Sequence, residues 1–182
     1  MTQRRPPSTE DVAVARKILV ANAGTVAFVP APSPLDAWPV LVRLGRALHA
    51  VSGSPLGLIR SPKMQLERGA RAKGAAPEGG DFQVRDIEGE NALSEVVLPP
   101  AISFHEAAAT LAQVAPKASG RFGHLLVDLA GFLPDAREVL EVPDVFVSAA
   151  IAGQTRETAL RELVELLPTS RHLGTLLLDS WG

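Results

Sequence analysis

Two hydrophobic rhythms alternate along this chain. Short runs are apolar at nearly every position: "TVAFVP" (Thr25 to Pro30), "PLGLIR" ending a strand over Leu56 to Arg60, "EVVLPP", "FGHLLVDLAG" ending in Asp128, "DVFVSAA" and "LGTLLLD". Runs apolar on both faces are what buried strands of a parallel sheet require. Between them lie stretches in which apolar residues return every third or fourth position, the period of a helix with one buried stripe. No repeat of fixed period is visible.

The helical stretches carry their own punctuation. "TEDVAVARKILVAN" predicts a helix with Thr9 as N-cap, acids in its first turn and a stop at Gly24. In "SPLDAWPVLVRLGRALHAV" either Ser33 or Asp36 can cap. Asp36 is preferred because it puts Pro39 in the first turn, where a missing N–H costs little, and Leu41, Leu44, Leu48 and Val51 then form the buried stripe. "SFHEAAATLAQVA" opens with a Ser103/Glu106 capping box, "LPDAREVLEV" predicts a short helix, and "QTRETALRELVELLP" an amphipathic one. From Lys63 to Ser94 the pattern dissolves into Gly, Ala and charge, with "DFQVRDI" as its one alternating run, so a mobile loop or small hairpin is expected there. Strands alternating with helices imply right-handed β-α-β units. The expected organisation is a loose tail over 1–9 and a single α/β domain over 10–182 with a flexible insertion at about 63–94. The domain is Rossmann-like, three-layered α/β/α, with a mostly parallel central sheet.

Composition narrows the function classes. The 182 residues suit one domain with a sizeable core. A net charge of -2 and a pI near 6.1 give no bulk attraction for nucleic acid or anionic lipid. The absence of cysteine excludes disulfides, thiolate metal sites and a cysteine nucleophile, and fits a reducing compartment, so the cytosol is the expected location. The first residues, "MTQRRPPST", lack the apolar stretch of a signal peptide, and no later segment has the ~18 apolar residues of a membrane span.

The segment "RFGHLLVDLAGFLPDAREVLEVPDVFVSAAIAGQTRETALRELVELLPTSRHLGTLLLD" resembles the closing half of the deviant Walker A ATPases, the superfamily of the plasmid-partition and division-site ATPases and the bacterial tyrosine kinases of capsule assembly. In order, "FGHLLVDLAG", "PDVFVSAA", "TRETALRELVELL" and "HLGTLLLD" stand where that superfamily has its Walker B strand, the next strand, a helix rich in Thr and Leu, and the closing strand. "TVAFVPAPSPLDAWPVLVRLGRAL" looks like its first strand, phosphate loop and first helix. The resemblance implies a P-loop NTPase-like topology and makes Asp128 the counterpart of the Walker B acid.

The departures concern chemistry. The superfamily's loop brings glycines, two lysines and a magnesium-binding hydroxyl to the phosphates, because phosphoryl transfer depends on positioning and charge neutralisation. Here "APSPLDAWP" has neither lysine nor glycine, its three prolines remove backbone donors, and Asp36 adds repulsion. "GLIRSPK" has Ser61 and Pro62 where the relatives keep a second aspartate. A chain without tyrosine also cannot phosphorylate a tyrosine cluster of its own, as the capsule kinases do.

Asp128 is therefore either a vestigial Walker B acid or a cap for the turn "LAGF". His49, His105, His124 and His172 show no metal-ligand spacing. Trp38 either plugs the nucleotide space or covers a helix start. Arg4, Arg5, Arg16 and Lys17 read as a solvated tail or a short basic N-terminus for a partner or membrane surface, and Trp181 as a docking contact or the edge of a longer protein. The expected function is that of a non-catalytic pseudo-ATPase, a scaffold or regulator working through protein partners and possible as a homodimer. No catalytic residue, cofactor, metal or nucleic acid is expected, and any membrane association would run through a partner. By resemblance it would serve a membrane-associated positioning or polysaccharide-export assembly. The alternatives are a nucleotide-binding ATPase or kinase whose unconventional loop uses Lys63 or arginines of the insertion, and a binding module sharing only the α/β layout.

Overall fold

A computed structural model describes residues 7–31, 36–60, 82–101, 103–133 and 135–179. The strands are β1 (Thr25–Pro30), β2 (Leu56–Ile59), β3 (Gln83–Asp86), β4 (Leu93–Val97), β5 (His124–Asp128), β6 (Val145–Ile151) and β7 (His172–Leu178). The helices are α1 (Thr9–Val20), α2 (Trp38–Ser52), α3 (Phe104–Ser119) and α4 (Glu157–Leu166). The strands form one seven-stranded sheet in the order β3-β4-β2-β5-β1-β6-β7, parallel except for the antiparallel β3/β4 pair.

The sheet sorts the apolar side chains to its two faces. On one, Ile18, Leu41, Leu44 and Leu48 of α1 and α2 pack on Val26, Phe28 and Leu58. On the other, Leu111 and Val114 of α3, Phe132 and Leu163 of α4 pack on Ala27, Leu125, Val127 and Phe146. Each fully buried leucine contributes about 1.5–3 kcal/mol. β1, between β5 and β6, is covered from both sides, as its unbroken apolar sequence predicts.

Several local expectations shift by a residue or two. Ser8, not Thr9, caps α1: its backbone is extended, its Oγ accepts from Asp11 N at 3.1 Å, and Asp11 Oδ2 accepts in return from Ser8 N at 2.9 Å. At α2 the N-cap position is Ala37, which has no side-chain acceptor. Asp36 acts from one residue earlier, its Oδ1 accepting from Trp38 N at 2.9 Å. Of the expected stripe, Leu41, Leu44 and Leu48 are fully buried and Val51 partly. The segment "LPDAREVLEV" holds a 3-10 turn over Arg137–Glu141. In the Lys63–Ser94 stretch, residues 83–86 are the edge strand β3, and β4 begins at Leu93, two residues before "EVVLPP". The alternating run thus forms one arm of a hairpin, while residues 63–81 lie outside the described residues. No described helix is long and apolar enough to cross a membrane.

Candidate functional site

In an open parallel sheet, ligands bind beyond the carboxyl ends of the strands. At that end of this sheet, Asp128 closes β5 opposite Phe28 of β1 and is 1% exposed. Its Oδ1 accepts from Ala130 N at 2.9 Å, the bond expected of a residue capping the turn into "LAGF".

Next to it in the sheet order, β2 ends and Arg60 follows. This guanidinium, its side chain only 10% exposed, is the centre of a charged group drawn from three elements. Nη1 donates to Asp36 Oδ2, ahead of α2, at 3.2 Å, and Nε donates to Glu95 Oε1 of β4 at 3.2 Å. The guanidinium carbon sits 4.0 Å from the centre of the Trp38 ring. Stacking on an indole face attracts a cation and shields it from water, which strengthens its ion pairs. Trp38 therefore both begins α2 and forms one wall for Arg60. Among the described residues, the group matches one arginine with two carboxylates and one aromatic ring.

The histidines take structural partners. His49 Nδ1 lies 2.8 Å from Ser54 O, His124 Nδ1 2.9 Å from Ala23 O, and His172 Nε2 2.9 Å from Ser148 Oγ. Burial pushes the His172 imidazole below its ordinary pKa. His105 Nδ1 pairs with Glu138 on the surface, and the hydrogen bond from that ring holds the Glu138 carboxyl below its usual range. Among the described residues, no group of three or more His, Cys, Asp or Glu side chains is placed to hold a metal ion. Lys17 Nζ donates to Leu173 O at 3.3 Å, and Arg16 is exposed on α1. Arg4, Arg5, Ser33, Ser61, Pro62, Lys63 and Trp181 lie outside the described residues.

Arg60 and Glu95 are the participants that sequence reasoning passes over. The available signal was small: an arginine directly after a four-residue apolar strand, where burial demands a carboxylate partner. Which carboxylate answers it depends on β2 lying beside β4.

No protein-family model matches the chain, and no curated protein matches it. Solved structures do. The chimeric protein CapA2B2 superposes with a TM-score of 0.70 at 12% identity, over 98% of this chain and 88% of that one. The VpsO kinase domain gives 0.65 at 14% identity, over 93% of each chain. A ParA family ATPase from Chlorobium tepidum gives 0.50 at 16% identity, over 86% of this chain and 75% of that one. The fold is thus the P-loop NTPase-like α/β fold shared with this kinase domain and this ParA family ATPase, as the sequence resemblance implied.

Proposed function

We propose that this chain is a pseudo-ATPase: a protein that keeps the deviant Walker A fold, does not hydrolyse nucleotide, and acts as a scaffold or regulator through protein contacts. The observation that carries the proposal is the Arg60 group. Arg60, its cation among the described residues, is already engaged by Asp36 and Glu95, so a triphosphate arriving there would meet two carboxylates. Asp36 occupies the stretch in which relatives supply lysines, and the sequence between β1 and α2 offers no glycine or lysine to replace them. Asp128 is on this reading a vestigial Walker B acid whose surviving task is to cap a turn. The kinase-domain neighbours and the sequence resemblance to capsule tyrosine kinases support a place in a membrane-associated positioning or polysaccharide-export assembly, reached through a protein partner.

Calorimetry and thermal melting with millimolar ATP or ADP and magnesium test this. A micromolar site under a millimolar ligand would add about 4 kcal/mol of stability and raise the melting temperature by roughly ten degrees. No heat and no shift are expected. Micromolar binding would overturn the proposal and favour the nucleotide-binding alternative.

A further inference from the structure

We propose that the β3–β4 hairpin is an electrostatically latched flap, which opens from the sheet as one unit and takes Glu95 away from Arg60 when it does. The seam that joins it to the sheet is β2/β4, paired from Leu56 with Leu93 to Leu58 with Glu95. This is the shortest pairing among the described strands. At the other edge of the sheet, β6 and β7 pair all the way from Phe146 with His172 to Ile151 with Leu178. β3 joins the sheet only through β4, and none of its residues is buried.

Charge is divided unevenly across the seam. Residues 82–98 hold four acids, Asp86, Glu88, Glu90 and Glu95, against one arginine, Arg85. The body answers with arginines. Arg46 of α2 reaches the turn between β3 and β4, where its Nε donates to Glu90 Oε1 at 2.9 Å and its Nη2 donates to the same oxygen. The Glu90 side chain is 9% exposed. Arg60, after β2, donates from Nε to Glu95 Oε1 at 3.2 Å. Arg121, after α3, lies 5.9 Å from the centre of the Phe82 ring.

Both carboxylates thus ride on the hairpin and both of their guanidiniums on the body. Leu93, Val96 and Leu98 are buried and hold the closed state, but they belong to a unit attached along one side. Such units open at lower free energy than the whole domain unfolds. A two-stranded hairpin alone is only marginally stable, so its amides are exposed to exchange once it leaves. β1 has a strand on each side and helices on both faces, and opens only with the domain.

Residue-resolved amide hydrogen exchange on the full chain tests this. The amides bonded across β2/β4 should exchange faster than those bonded across β1/β6. Glu90→Gln keeps the side chain's shape and removes its charge. It should speed exchange across β2/β4 about threefold to tenfold and leave β1/β6 unchanged. Raising salt from about 0.05 to about 1 M should act in the same direction on the natural chain, to a smaller extent because partly buried pairs are screened less. Glu88→Gln, at an exposed acid of the same turn, should change neither seam. Four results overturn the proposal: β2/β4 amides as protected as those of β1/β6, equal acceleration of both seams by Glu90→Gln, equal effects of Glu90→Gln and Glu88→Gln, or no response of β2/β4 to salt. The salt series on the natural chain stands even if a variant folds poorly.

Discussion

The two ends of the parallel sheet use polar side chains in opposite ways. At the amino end, side chains are matched to backbone. Asp144 Oδ2 accepts from Gly24 N at 2.8 Å and Thr25 N at 2.7 Å, fixing the entry to β1, and His124 meets Ala23 O. Arg171 holds two carbonyl oxygens, and the turns themselves touch through a backbone bond from Gly123 N to Pro55 O at 2.9 Å. At the carboxyl end Asp128 also caps backbone, but there charged side chains are in addition matched to each other: Arg60 joins Asp36 and Glu95 and stacks on Trp38. Backbone partners are fixed by the fold, so the amino end is architecture. Side-chain partners can be exchanged, so the carboxyl end is where a fold of this kind can hold its chemistry.

If the contrast is right, disturbing the amino end should cost most. Gly123→Ala is expected to have the largest effect, because an added Cβ would run into the Ser54 side chain at a point where the two turns touch. Forced separation of packed backbone should cost about 2–3 kcal/mol, measured by chemical denaturation. Next comes Asp144→Ala, which strips two N–H groups of their acceptor. Asp144 is exposed and water can partly replace it, so a loss of about 1–2 kcal/mol is expected, with Asp144→Asn recovering part because the amide oxygen still accepts. The smallest stability change is expected of Arg60→Met, at roughly 1 kcal/mol, because the carboxylates it leaves behind, Glu95 and Asp36, are 20% and 36% exposed and water can hydrate them, while the methionine still packs on Trp38. Its signature should be optical instead: Trp38 loses the guanidinium on its face, so its emission shifts when measured in a Trp181→Phe background. A loss for Arg60→Met exceeding that for Asp144→Ala would erase the distinction between the two ends.

Much of this was legible along the chain because burial leaves a periodic trace. The all-apolar runs gave β1, β2, β5, β6 and β7 to within a few residues, and the 3.6-residue stripe of α2 identified Leu41, Leu44 and Leu48 before any neighbour was known. Capping was legible to within one residue. Ser8 and Thr9 have the same capping chemistry, and the backbone bend that selects Ser8 is not written in residue type. The hairpin was harder: four residues of β3, one face of which is solvated, give too short an alternation to separate from a loop.

The sequence by itself determined which segments other than β3 are strands and helices, which of their faces are buried, and that the stretch between β1 and α2 lacks the glycines and lysines of a phosphate loop. Each of these depends on residues adjacent in the chain. Only the tertiary structure decided that β2 lies between β4 and β5, which brings Arg60 to Glu95, 35 residues away, and to Asp36, 24 residues away. It likewise decided that β7 is an edge and β1 is not, although the two read alike as apolar runs. The physical reason is that periodicity records whether a side chain is buried, whereas crossover connections choose what it is buried against.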